Sequence, residues 1–311
     1  MKWNTRDILE FEGSQTSEED EKKLRALAES DQLLNIRLTN DFAFKKAFRN
    51  KKAMTGLLSA LLNLPADEIK TLEFPDTFAH GEYADDREGI LDVKVHLNGN
   101  RKINIEIQVL PYPFWEERSL FYISRMFVED FIKGQGYQKL EECIHISILG
   151  FSLKCTDHFY SVIRLMDEKT RKVYSDKLSL RMLYLNQIEQ VSEEERQTEV
   201  YQWAKLISAK DWKVLMKMAE RNEYMKETIS ELEKINSDKE LRYRYLKREL
   251  RESDEATIRN YYLDKGKVEG ESLILDLVCK MLENGRSKEE IDRMKSDNAF
   301  KEEMVKKYIN F

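Results

Sequence analysis

The sequence predicts an α/β core followed by a long helical region, and three observations carry that expectation. Two short segments, ILDVKVHL and RKINIEIQVL, alternate apolar and polar residues on either side of an Asn-Gly pair, the pattern of a β-hairpin. Stretches with apolar residues at helical spacing lie before and after them. Beyond about Asn186, glycine and proline nearly vanish and charged helical periodicity takes over. A chain of 311 residues can bury a substantial core. The expected organisation is an accessory segment over 1–35, a mixed α/β core over 36–185 and a charged helical region over 186–311.

In chain order, Ser17 followed by Asp20 marks the start of a short charged helix. In TNDFAFKKAF, Thr39, Asn40 or Asp41 caps a helix that carries Phe44, Phe48, Leu57, Leu58, Leu61 and Leu62 on one stripe and ends near Asn63 and Pro65. TLEFPDTFAHGEY is strand-like, with Pro75 demoting part of it to an edge or turn. In the hairpin, Leu91, Val93, Val95 and Leu97 alternate with Asp92, Lys94 and His96, and Ile103, Ile105, Ile107 and Val109 with Asn104, Glu106 and Gln108. Both apolar rows must face one core, so opposed residues have numbers with an even sum. A three-residue loop, Asn98 to Asn100, sets Asp92 across from Glu106; a five-residue loop sets it opposite Gln108. In either register two carboxylates and an amide share one polar face. Like charges facing each other across strands are unfavourable, and a divalent cation is the candidate that would compensate them. The same alternation also fits an ordinary half-buried hairpin whose polar residues face water.

PYPFWEER leads into a second helix through about Lys133, closed by GQG, with Leu120, Ile123, Phe127 and Phe131 apolar and Arg118, Tyr122 and Arg125 at i, i+4 and i+7. CIHISILGF reads as a further strand, buried on at least one face. The order is helix, strand, strand, strand, helix, strand. In the helical region, KELRYRYLKRELR sets six cations against two glutamates and interleaves Tyr243 and Tyr245, making it a candidate strip for a nucleic-acid backbone. Gly285 ends one helix, and Ser287 with Glu290 forms a capping box for the next.

Composition narrows the classes. The formal net charge of -6 gives no global basic field, so nucleic-acid binding would need a local patch and would weaken with salt. Cys143, Cys155 and Cys279 lack a CxxC pair, which argues against a zinc site or a disulfide framework and for a reducing compartment. The four histidines show no ligand spacing. There is no phosphate-cradling glycine loop, nucleophile elbow or cofactor fingerprint. The N-terminus lacks the apolar run of a signal peptide and no stretch is long enough to span a bilayer, so the expectation is a cytoplasmic protein without a membrane partner.

The succession NDFAFKKAF, LLSALLNL, ILDVKVHLNG, INIEIQ, ERSLFYISRMF, GQGYQKL and IHISILGF closely resembles the recombination-promoting nuclease (Rpn) / putative transposase family of the PD-(D/E)XK nuclease superfamily, from about Ile36 to Phe151. A looser likeness continues through DKGKVEGE and ENGRSKEEI. The resemblance implies a restriction-endonuclease-like αβββαβ core and a Mg2+-dependent DNA endonuclease, with Mn2+ as a substitute, associated with recombination or transposition. Asp92 matches the family's metal-binding aspartate and Glu106 the acidic residue of the (D/E)xK element. Gln108 occupies the lysine position, a departure that removes a positive charge from the site. On this resemblance Asp92, Glu106 and the main-chain carbonyl of Ile107 hold the metal, and Gln108 positions the attacking water. Arg118 and Arg125, with Lys94 and Lys45, are the expected nucleic-acid contacts. The rival expectation is a degenerate nuclease fold acting as a DNA-binding or assembly protein, with the helical region as the candidate surface for homo-oligomerisation.

Overall fold

The structure is a computed structural model and describes residues 18–75, 93–154 and 158–309. The described residues divide into two compact units, one within 22–249 and the other formed by 250–309 with 18–21.

The first helix, α1 (Glu18–Glu29), begins at the expected charged stretch. The single helix expected after it is two, α2 (Asp41–Phe48) and α3 (Lys51–Leu62). Asn40 caps α2 by accepting from the Ala43 N–H, and Asn50 caps α3 by accepting from Lys52 and Ala53. Asn50 is therefore the break in the stripe: its side chain satisfies the N–H groups that a new first turn leaves open. Asn63, in the left-handed region at φ 53°, closes α3 near the predicted end.

One sheet of six strands follows the order β1 (Leu72–Glu73), β2 (Val93–Leu97), β3 (Arg101–Gln108), β4 (Glu142–Leu149), β6 (Val173–Tyr184), β5 (Tyr160–Met166). The strand expected around Pro75 shrinks to the two-residue β1, the part of that segment lying before the proline. The hairpin has the three-residue loop: Leu97 faces Arg101 and Val93 faces Ile105. Asn98, at φ 52°, does more than turn the chain. Its side chain accepts from the N–H groups of Lys70 and Thr71 and donates to the Glu68 carbonyl, fixing the approach to β1.

β3, β4 and β6 run parallel at the centre, and the β3-to-β4 connection carries α4 (Trp115–Val128), which packs on β3, β4 and β6. This helix stops at Val128, short of the expected Lys133. The antiparallel pair β5–β6 had no counterpart in the expected order. Val162, Ile163, Leu165 and Met166 on β5 are all exposed, so that edge strand has no apolar face for a period of two to reveal.

The main core joins α2 and α3 to the sheet face bearing Val93, Val95, Ile103, Ile105, Ile107, Ile144, Ile146 and Ile148. Helices α6 (Glu199–Ser208), α7 (Trp212–Ala219) and α8 (Glu223–Ser237) complete it, with α8 packed against α2 and α3. A Cβ at Gly56 would stand 2.2 Å from Tyr224 Cβ and 2.7 Å from Trp203, so the missing side chain is what admits α6 and α8 to α3.

The helical character beyond residue 186 is present, from the four-residue α5 (Glu193–Arg196) through α9 (Lys239–Glu283), α10 (Lys288–Arg293) and α11 (Asn298–Tyr308). Gly285, at φ +72°, follows α9, and Ser287 with Glu290 makes the capping box of α10. In the smaller unit Leu277, Met281, Met294, Met304 and Ile309 form a separate apolar cluster. Part of the cationic strip at the start of α9 is turned inward, while Lys239, Arg244 and Arg251 are exposed. Arg242 is buried and donates to the carbonyls of Leu27, Ala28, Ser30, Gln32 and Asn236. Arg248 pairs with Asp41 and Arg244 with Glu240, while Tyr243 and Tyr245 are buried. These side chains bind the protein to itself, and the two tyrosines have no face to offer a base. Among the described residues no helix is long and apolar enough to cross a membrane.

Candidate active site

β3 carries Glu106 and Gln108 near its carboxyl end, in the centre of the sheet. In open α/β sheets this end of the parallel strands is where the chain leaves room for a ligand. The polar residues of β3 project to the face opposite the main core. There the parallel register sets Asn104 beside His145 and Glu106 beside Ser147. An ordinary hairpin would leave this row in water; instead α4 covers it. Asn104, Glu106, His145 and Ser147 are all buried.

Helix α4 enters through the loop PYPF. Phe114 sits at φ 60°, a left-handed conformation that costs a bulky residue about 1–3 kcal/mol. Trp115 then drops into a cluster with Leu149, Leu153, Met182 and Tyr184, while Ile123 and Met126 pack near Cys143 further along the helix. Between these apolar anchors Arg118 points at the sheet. Its Nε and Nη2 both donate to Glu106 Oε1, at 3.0 and 2.8 Å. The Glu106 side chain is 1% exposed and that of Arg118 21%. Three aromatic rings surround the guanidinium, its carbon lying 4.9 Å from the centroid of Tyr112, 5.1 Å from Tyr122 and 5.8 Å from Trp115. Burial works against the Arg118 charge, and the Glu106 carboxylate outweighs it, so the guanidinium pKa is raised.

His145 is held neutral. Burial foremost, and then the positive charge of Arg118, push its pKa from 6.5 down to about 4. Asn104 Nδ2 donates to His145 Nδ1 at 3.1 Å. Among the described residues, no hydrogen-bond partner reaches Asn104 Oδ1, His145 Nε2, Ser147 Oγ or Trp115 Nε1. Such atoms are few in folded proteins, and here they gather in the layer between sheet and helix that also holds Glu106.

Asp92 lies outside the described residues; the description of β2 begins at Val93. Ile107 is buried on the core face. Gln108 is half-buried, and its Nε2 donates to the Leu110 carbonyl at 3.0 Å, turning the amide onto the loop that follows. Lys94 lies 3.6 Å from Glu129, away from Glu106 towards the far end of α4. There Lys102 also pairs with Asp130. Arg125 is exposed on α4 and Lys45 is half-buried on α2. The structure thus brings Arg118 to Glu106 and Lys94 to Glu129.

Asn104, His145, Ser147, Tyr112 and Trp115 were not singled out as site residues. INIEIQ and CIHISIL both interrupt isoleucines with polar residues at a period of two, and that shared rhythm is the signal that two adjacent central strands bury a polar row.

A family model described as PD-(D/E)XK nuclease family transposase matches residues 38–261. The chain belongs to this family. No curated protein and no solved structure matches the chain. The matched span covers the whole sheet and α2 through α8, and runs into α9. Membership makes this a nuclease- or transposase-like protein of mixed α/β fold, and places Glu106 and Gln108 within the matched span.

Proposed function

We propose that the chain is a divalent-metal-dependent DNA endonuclease whose reacting centre lies at the carboxyl end of β3. The observation that supports this most directly is the hairpin register. Val93 faces Ile105 across a three-residue loop, the alternative under which the sequence expectation puts Asp92 across from Glu106. With the Ile107 main-chain carbonyl, these two carboxylates form a set of hard oxygen donors, the chemistry that Mg2+ and Mn2+ take. When bound, the metal supplies Lewis-acid polarisation of the phosphate and a more acidic water.

The chain's own residues do the rest. Asp92 and Glu106 hold the metal, and Gln108 orients the attacking water through its amide. Lys45, Lys94 and Arg125 meet the DNA backbone, with Arg118 at the phosphate beside Glu106. One water is consumed: its oxygen bonds to phosphorus, the P–O bond to the leaving sugar breaks, and the leaving oxygen takes up a proton. Recombination or transposition in the cytoplasm is the setting we propose for this chemistry, with self-association through the helical region bringing two sites to a duplex.

A second reading has its own observation. Glu106 is buried and already carries a guanidinium on Oε1, as expected of a degenerate nuclease fold kept for DNA binding or assembly. Plasmid incubated with the purified chain and Mn2+, Mg2+ or EDTA separates the two. The first reading expects metal-dependent nicking that D92N and E106Q abolish in folded protein, together with Mn2+ binding that both variants weaken in calorimetry. Wild-type protein that neither binds Mn2+ nor cuts overturns it in favour of the second.

A further inference from the structure

Hydrolysis of a phosphodiester builds negative charge on the phosphoryl oxygens, and the proposed site approaches it with two carboxylates and a neutral amide on a chain of net charge -6. A cation has to be supplied locally. Gln108 cannot provide one, and its amide is tied to Leu110. Lys94 and Lys102 share the sheet face but are engaged at the other end of α4 by Glu129 and Asp130. Arg118 is a cation that the fold delivers to Glu106.

How Arg118 is held bears on what it can do. A structural ion pair of a long side chain is usually made at the surface, where it contributes little. Here the guanidinium sits among Tyr112, Trp115 and Tyr122, on a helix anchored by Trp115. The rings limit where the flexible side chain can go, so it is preorganised beside the carboxylate. Only the Nε and one Nη edge of the planar fork are used on Glu106 Oε1. A guanidinium has more N–H donors than one carboxylate oxygen takes, and its fork geometry suits phosphate as well as carboxylate.

We propose that Arg118 is the resident cation of this site: held on Glu106 within its aromatic cage, it presents its remaining N–H groups to a phosphoryl oxygen and supplies the positive charge that Gln108 lacks. The inference rests on the nuclease reading above. It makes Arg118 a catalytic residue that touches substrate, and it sets two opposed expectations. The same charge that favours the phosphate disfavours a metal ion on the shared carboxylate. Removing it should therefore slow cleavage while tightening metal binding, a combination that loss of a merely structural contact does not produce.

The test uses the full chain as wild type, R118K, R118Q and R118Q/Q108K, with folding checked by circular dichroism, Mn2+ affinity by calorimetry and nicking of plasmid in Mn2+. R118Q is expected to lose about 100-fold or more in cleavage, the usual effect of removing one preorganised stabiliser of developing charge. It is expected to bind Mn2+ about tenfold tighter, as a neighbouring positive charge is removed. R118K, which keeps the charge and loses the fork, should fall between wild type and R118Q, and Q108K should restore at least about tenfold of what R118Q loses, by returning a cation to the same strand end. Folded R118Q that cuts like wild type overturns the proposal. So does R118Q that loses cleavage and Mn2+ binding together without rescue by Q108K. If R118Q does not fold, R118M, which keeps an apolar stem among the rings, replaces it with the same two expectations, and folded R118M that cuts like wild type overturns the proposal. A wild type that neither binds Mn2+ nor cuts fails at the earlier step, and is recognised as the failure of the nuclease reading itself.

Discussion

Arg248, near the start of α9, forms an ion pair with Asp41 in the first turn of α2, its Nε 2.8 Å from Oδ1, with the two side chains 19% and 7% exposed. Asp41 belongs to the stretch that opens the family match, and Arg248 to the strip that reads from sequence as a nucleic-acid contact. The pair ties the beginning of the nuclease-like core to the helix that follows it. Breaking one side of a mostly buried pair leaves a charge uncompensated, whereas replacing both sides together removes that penalty. R248A should cost about 3 kcal/mol in urea unfolding, and D41N/R248M should recover a large part of it. A salt slope in DNA binding that changes with R248A in folded protein would return Arg248 to an interface role.

Arg242 presents a related case with a different lever. Its guanidinium gathers the carbonyls at the end of α1 and the chain after it, groups left open where a helix stops. Lysine keeps the charge but has no planar fork to serve several carbonyls. R242K should therefore lower stability by about 2 kcal/mol, or more, measured by urea titration. A variant melting at the wild-type temperature would show that those carbonyls find other donors.

Gly150 sits at the turn after β4, where its N–H donates to the Gln108 carbonyl at 2.9 Å. An added Cβ would stand 2.3 Å from the Val109 carbonyl oxygen, a main-chain atom that cannot rotate aside. G150A is expected to destabilise by about 1–3 kcal/mol and, by shifting the strand end that carries Gln108, to reduce nicking at temperatures where the variant remains folded. Equal activity per folded molecule would separate this turn from the site.

His145 predicts a pH dependence. Its folded pKa of about 4 lies below the ordinary 6.5, so the unfolded chain binds the proton more readily. The contribution is fully present above about pH 6.5 and is lost as pH falls towards 4, amounting to about 3 kcal/mol across that window. Urea unfolding at intervals between pH 7 and 4 should show this decline, reduced in folded H145Q. An identical slope in the variant would assign the effect to other groups.

Much of this fold is legible in local pattern. The period of two in VKVHL and INIEIQ, the Asn98–Gly99 turn, the change of texture after Asn186 and the Ser287–Glu290 box all concern residues within a few positions of one another, where backbone geometry and hydrogen-bonding needs act directly. The break at Asn50 was hidden because the apolar stripe continues across it, and a stripe reports burial without reporting whether the backbone is continuous. β5 was hidden for the opposite reason, since an exposed edge strand has no stripe at all.

The sequence by itself determined the family-like order of elements, two loop lengths compatible with the hairpin, of which the structure takes the shorter, and the placement of Glu106 and Gln108 on one face of one strand. Only the tertiary structure decided that this face lies beneath α4, that Asn104, His145 and Ser147 are buried with Glu106, and that Arg118 comes to rest on its carboxylate. Alternation tells which residues share a side of a sheet, but whether that side meets water depends on where a helix from elsewhere in the chain is laid. That choice is made by the packing of Trp115, Ile123 and Met126 against strands brought together from distant parts of the sequence.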